Sequence, residues 1–305
     1  GMNAPAKHRR RIWPWIVGGI LLLLAGGLLF LAIPRREKVT EITPDTAQAA
    51  LVARAKALGA TDVATLAAPD GGFVLEGRLE GDRFSVAFPR GWANGRTLLF
   101  VHGYSTPGTP VEGMRDPLAH GTGANGILLD AYKDGYAAGY IDYRKAGLGV
   151  QTASENTMRL RNMLAGMGAR QQLVAGTSMG GNIVLSLLEN YPGAFAGAMA
   201  SCGVTDGWET LFGQLIDMRA AYNVLTAGTE YELPGEKDIR RSALSTEASA
   251  HMAGLGEPYR YAQILRIAWP IIKLSKAAAA DPNGREAHIL RQVASIGGFE
   301  PEVAS

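Results

Sequence analysis

One cysteine and five histidines in 305 residues leave little room for several kinds of chemistry. A lone thiol excludes an intrachain disulfide, and Cys202, within Ala-Ser-Cys-Gly, reads as a small buried residue. No Cys/His cluster has metal-ligand spacing, so neither a metal nor a cofactor is implied. Internal repeats and low-complexity blocks are absent, which excludes a repeat architecture. Charge excess is absent too, once the N-terminus is set aside. Residues 1–38 hold seven Lys/Arg against one Glu, leaving 23 against 27 in the rest. The body is mildly acidic, which argues against a nucleic-acid partner.

What the N-terminus does contain is an apolar run. Ile12 to Ile33 carries no charge over 22 residues, enough to cross a ~30 Å hydrocarbon core as a helix. Trp13 and Trp15 fall where interfacial aromatics sit, and Pro14 lies in the first turn, where it is tolerated. The expectation is a basic tail at 1–11, a transmembrane anchor at 12–34 and a body on the extracytoplasmic side. The competing reading is a cleaved signal peptide. The run is long for that, and it ends in Ile-Pro-Arg-Arg rather than at a small-x-small site.

The chemistry lies further on. Leu173-Val174-Ala175 leads into Gly176-Thr177-Ser178-Met179-Gly180, and a helix is predicted from about Gly180 to Asn190. Gly-x-Ser-x-Gly between strand and helix suits a serine nucleophile, because only glycines fit beside so tight a turn. The following helix aims its first N–H groups near Ser178, where an oxyanion would be stabilised. Upstream, Leu98-Leu99-Phe100-Val101 runs into His102-Gly103-Tyr104. The N–H groups of Tyr104 and Met179 would make a two-donor oxyanion hole if that loop faces the turn. His102 reads as a structural histidine bonding its own loop. Between these motifs comes Gly139-Tyr140-Ile141-Asp142-Tyr143-Arg144-Lys145-Ala146-Gly147-Leu148-Gly149, a buried strand and a glycine-punctuated loop.

Strand-His-Gly, strand-Asp-x-Arg-x-x-Gly-x-Gly and Gly-x-Ser-x-Gly-Gly, in that order, resemble the α/β-hydrolase superfamily over roughly Gly72 to Gly203. The resemblance implies a doubly wound, mainly parallel sheet, and structural roles for Asp142 and Arg144. Strands alternating with helices give the same fold class independently. Thr43 to Leu58 reads as a helix capped by Asp45, within a linker at 35–70. Phe73 to Leu79 and Arg83 to Phe88 read as two alternating strands, and the hydrolase core spans 71–205. Beyond it, 206–305 reads as helices only: Trp208 to Leu225, Lys237 to Met252, Tyr259 to Lys276 and Gly284 to Ile296. By resemblance this block is a cap over the site; read alone, it is a helical appendage or a dimerisation surface.

A serine needs a base, and the base needs an orienting acid. Downstream of Ser178 only His251 and His288 occur, both inside predicted helices. Three accounts stand. Acid and histidine could lie on a part of the protein absent from this sequence. Asp206 and His288 or His251 could complete an unusual triad, although Asp206 also suits a turn or helix cap. Or the chain could be a binding protein without chemistry. The expectation is a membrane-anchored serine hydrolase that cleaves an ester or other acyl bond of a small-molecule substrate. Peptidase or acyltransferase chemistry is an alternative on the same turn, and a tethered interaction protein is the alternative of another class.

Overall fold

The computed structural model describes residues 39–104, 115–119, 126–145, 147–235, 237–238 and 257–298. The chain divides into two compact units, one reaching to Gly213 and one formed by Gln214 onward.

The first unit is a sheet with helices on both faces. Its elements are α1 (Thr46–Ala57), β1 (Thr61–Ala67), β2 (Phe73–Leu79), β3 (Asp82–Phe88), β4 (Arg96–Val101) and α2 (Ile127–Lys133). There follow β5 (Ala137–Ile141), α3 (Val150–Met167), β6 (Gln171–Thr177), α4 (Met179–Asn190) and β7 (Gly197–Ser201). The strand order is β1-β2-β3-β5-β4-β6-β7. The β1, β2, β3 and β5 neighbours pair antiparallel, whereas β5, β4, β6 and β7 run parallel. The two motifs of interest therefore end at adjacent parallel strands: Val101 at the end of β4 pairs with Gly176 at the end of β6. Loops leaving the carboxyl ends of parallel neighbours share one crevice.

Two apolar layers sandwich the sheet. Phe73, Leu75, Phe84, Val86, Leu99 and Val174 share one apolar layer with Leu160 and Leu164 of α3 and Ile183 and Leu187 of α4. Val74, Ala87, Phe100 and Ala138 face Leu128 and Tyr132 of α2 on the other side. That explains one departure from expectation. β2 and β3 do not alternate between core and water; they are covered on both faces, and Glu76 is buried in an ion pair with Arg115.

The segment read as a linker contributes to this body. Asp45 caps α1 as expected, its carboxylate accepting from Gln48 N–H at 2.8 Å while Gln48 Oε1 accepts from Asp45 N–H at 3.0 Å. β1 is an edge strand that the sequence pattern does not announce. Its pairing with β2 breaks between Thr61 and Ala64, and Asp62 sits at φ 48, so no clean alternation survives. At the opposite edge, β7 pairs only with β6 among the described residues.

Asp142 and Arg144 anchor the loop after β5. Asp142 is fully buried with Arg83 at 3.4 Å, and Arg144 Nε donates to Asp82 at 2.7 Å. Asn156 of α3 ties them together, donating to Asp82 Oδ2 and to the Asp142 carbonyl at 2.8 Å each.

The second unit is helical among its described residues. It holds most of α5 (Trp208–Thr226), together with α6 (Glu257–Ala280) and α7 (Arg285–Ile296). Tyr222, Leu274, Ile289 and Val293 form its core. The predicted helix from Lys237 to Met252 falls outside the described residues, apart from its first two. Among the described residues no helix is long and apolar enough to cross a membrane. The expected anchor at 12–34 lies outside them.

Candidate active site

Ser178 occupies the turn between β6 and α4, with φ 58 and ψ −124. Few non-glycine residues adopt such angles, and the strain is typically about 1–3 kcal/mol. Its neighbours show why the turn must be so tight. A β-carbon at Gly176 would collide with the Gly180 carbonyl, and one at Gly180 with the carbonyl of Val101. The crossing of β6, α4 and β4 is thus closed backbone to backbone. Ser178 N–H donates to the Ser201 carbonyl of β7 at 2.9 Å, and its carbonyl accepts from Asn182 N–H at 3.2 Å. Its hydroxyl makes no hydrogen bond among the described residues.

The His-Gly-Tyr loop lies against this turn. A β-carbon built on Gly103 would stand 3.6 Å from Ser178 Cβ and 3.3 Å from the Thr177 carbonyl oxygen. Among the described residues, neither Tyr104 N–H nor Met179 N–H donates to a protein acceptor. Both donors are therefore unengaged among the described residues. Tyr104 presents an exposed side chain.

Tyr143 braces the loop from below, its hydroxyl reaching the carbonyls of His102 at 2.8 Å and Gly103 at 2.9 Å. Burial, with Asp142 beside it, pushes that hydroxyl above the ordinary tyrosine value, so it stays protonated as the donor. The sequence motif drew attention to Asp142 and Arg144 and passed over the residue between them. The available signal was an aromatic with a polar tip at the end of a buried strand. Tyr143→Phe should cost about 1 kcal/mol in urea unfolding and slow any covalent labelling of Ser178, with the sheet intact.

His102 stacks on the Tyr143 ring, with centroids 4.1 Å apart and planes 8° apart. Its Nδ1 lies 3.2 Å from the Gly103 carbonyl oxygen, the own-loop contact expected from sequence. The carbonyl assigns the proton to Nδ1 and leaves Nε2 a lone pair, buried and without a partner among the described residues. Burial lowers its pKa from 6.5, the Gly103 bond opposing only in part. A folded-state pKa below the unfolded value means that the unfolded chain takes up the proton first. This contribution to stability is therefore intact above about pH 6.5 and is lost as pH falls through the lowered folded value. The expected result is that His102→Gln flattens the fall in stability below about pH 6.5 relative to the parent chain, measured by urea midpoints.

Asp206, His288 and His251 are the acid and base candidates from the sequence. Asp206 is exposed in the loop before α5 and makes no hydrogen bond or ion pair among the described residues, so it does not cap that helix. His288 is exposed on α7 in the second unit, and His251 lies outside the described residues. Cys202 corrects an expectation. It is exposed, not buried, because the chain turns at φ 50 as it leaves β7 at the sheet edge. No group of His, Cys, Asp or Glu among the described residues could hold a metal ion.

No family model and no curated protein sequence matches the chain. Solved structures do, and the three that follow have TM-scores below 0.5. EstE5 with PMSF is 18 % identical over 69 % of this chain, with a TM-score of 0.36. An esterase/lipase from an uncultured bacterium is 16 % identical over 64 % of this chain, with a TM-score of 0.32. Oligopeptidase B of Trypanosoma brucei is 18 % identical over 48 % of this chain, with a TM-score of 0.33. The chain spans 65 %, 63 % and 21 % of those proteins, respectively.

Proposed function

We propose that this chain is a membrane-anchored serine hydrolase of the α/β-hydrolase type, acting on an ester or other acyl bond of a small-molecule substrate. One observation carries the reading: Ser178 stands at φ 58 and ψ −124 on a strand-to-helix turn that admits no β-carbon at Gly176 or Gly180. Backbone strain of this kind concentrates at functional sites, and no hydrogen bond of the hydroxyl among the described residues accounts for it.

In this reading Ser178 Oγ attacks the acyl carbonyl carbon as its proton passes to a base. The carbonyl oxygen becomes an oxyanion held by Tyr104 N–H and Met179 N–H, each donor worth about 3 kcal/mol of barrier. Collapse expels the alcohol or amine, which takes the proton from the base. Water, giving a proton to the same base, then attacks the acyl-serine, and the acid leaves as Ser178 is restored. Nothing in these steps calls for a cofactor.

A membrane-tethered interaction protein is favoured by one observation, the lack of any hydrogen bond to Ser178 Oγ among the described residues. A fluorophosphonate probe separates the readings. An oxyanion hole without its base still gives roughly 10³-fold catalysis over water. Labelling of Ser178 should therefore be slow yet specific, while ester turnover by this chain alone stays low. Silence at long exposure would support the interaction protein. The anchor at 12–34, with the body on the extracytoplasmic side, is tested separately. The full-length chain should stay with membranes through a carbonate wash, and recovery of a soluble form starting near Ala50 would overturn it.

A further inference from the structure

Helix α6 carries its apolar surface on two sides. Leu274 is fully buried and Ala278 nearly so, which fixes the face turned to the core of the second unit. At about 100° per residue, the opposite face centres on Trp269, with Leu265, Arg266, Ile272, Lys273 and Lys276 within about 60° of it. On an ordinary surface helix that face would be polar. Here Trp269 is 55 % exposed and Leu265 50 %.

The same face is cationic. From Leu265 to Ala280 the helix contains no acidic residue. Lys273 pairs with Glu230, but Arg266 and Lys276 make no ion pair among the described residues. Lys276 Nζ instead lies 5.9 Å over the Trp269 ring. A second copy of the chain laid on this face would bring like charges together. An anionic surface would neutralise them while taking in the indole and leucine side chains. Tryptophan ringed by Lys and Arg is the composition of a helix lying in a bilayer interface.

We propose that the Leu265–Trp269–Lys276 face of α6 rests on an anionic lipid surface, with Trp269 and Leu265 at the acyl boundary and Arg266 and Lys276 on headgroup phosphates. The proposal draws on the anchor reading only for the nearness of a bilayer.

The test uses the full-length chain carrying Cys202→Ser and Leu265→Cys, with a nitroxide on the new thiol. It is mixed with vesicles of phosphatidylcholine, alone or with phosphatidylglycerol. Flotation reports attachment, and power saturation with oxygen and a nickel chelate reports where the label sits. On anionic vesicles the label should be oxygen-accessible and shielded from nickel, and Arg266→Gln with Lys276→Gln should return it to nickel. Flotation with the label exposed to nickel on both vesicles would leave the anchor standing and overturn the proposal. Flotation only on anionic vesicles, with the label in lipid, would do the reverse. Spin–spin broadening between labels would assign the face to a second copy, shielding from both reagents would assign it to protein, and no flotation on anionic vesicles would remove the lipid; each overturns the proposal.

Discussion

Ser178→Gly should abolish covalent labelling at the turn and at the same time raise the melting temperature. The two effects have one cause. At φ 58 and ψ −124 a β-carbon is strained, and glycine releases that strain. No hydrogen bond of the hydroxyl among the described residues is lost with it. The greater freedom of glycine in the unfolded chain takes back about 0.5–1 kcal/mol. The net gain should be about 1 kcal/mol, or roughly 3 °C for a chain of this size. Ser178→Ala should lose labelling equally but gain no stability, since it keeps the β-carbon. Thermal unfolding and probe labelling of the three proteins side by side check this. A Ser178→Gly protein less stable than the parent would mean that the turn is not strained, and the argument from strain to function would fall.

Gly180→Ala should be one of the most damaging single methyl groups in the first unit. The added carbon meets the carbonyls of Val101 and, at 3.1 Å, of His102. Both belong to backbone at the end of β4, which cannot swing aside as a side chain can. The cost should be about 3 kcal/mol or more in urea unfolding. Whatever folded protein remains should label poorly, because the same methyl group pushes the His-Gly-Tyr loop off the serine. Gly213→Ala is the control. Gly213 lies within α5 with nothing within 4 Å of an added β-carbon, and alanine there should stabilise by about 0.5–1 kcal/mol. Equal effects at the two positions would show that close backbone approach does not hold the turn.

These two residues also show what the sequence made legible. Gly176, Ser178 and Gly180 fall in a five-residue string whose chemistry is local, so strand, turn and helix were readable from adjacent positions. The parallel strands β4, β5 and β6 were readable as short apolar runs ending in His-Gly, Asp-x-Arg and Gly-x-Ser. β1 was not, because an edge strand broken at Asp62 keeps neither alternation nor a continuous apolar run. Tyr143 was missed for a different reason. Its role is to reach carbonyls 40 and 41 residues earlier, and no spacing rule spans a contact that only the sheet creates. Cys202 was misread by residue type. Cysteines are usually buried, but this one follows β7, and no further strand among the described residues covers it. The exposed face of α6 was invisible for the same reason: a helix pattern gives periodicity, not which of two apolar sides meets the core.

The central claim is that position 178 presents a nucleophile to the N-terminus of α4, and it can be tested without knowing the base. In a Cys202→Ser background, Ser178→Cys leaves one thiol in the protein, and its alkylation rate by iodoacetamide can be followed against pH. The helix N-terminus and the unengaged N–H of Met179 should hold the thiolate, moving the midpoint below the ordinary value of about 8.5. A midpoint at or above that value, or a thiol that reacts only after unfolding, would contradict the account.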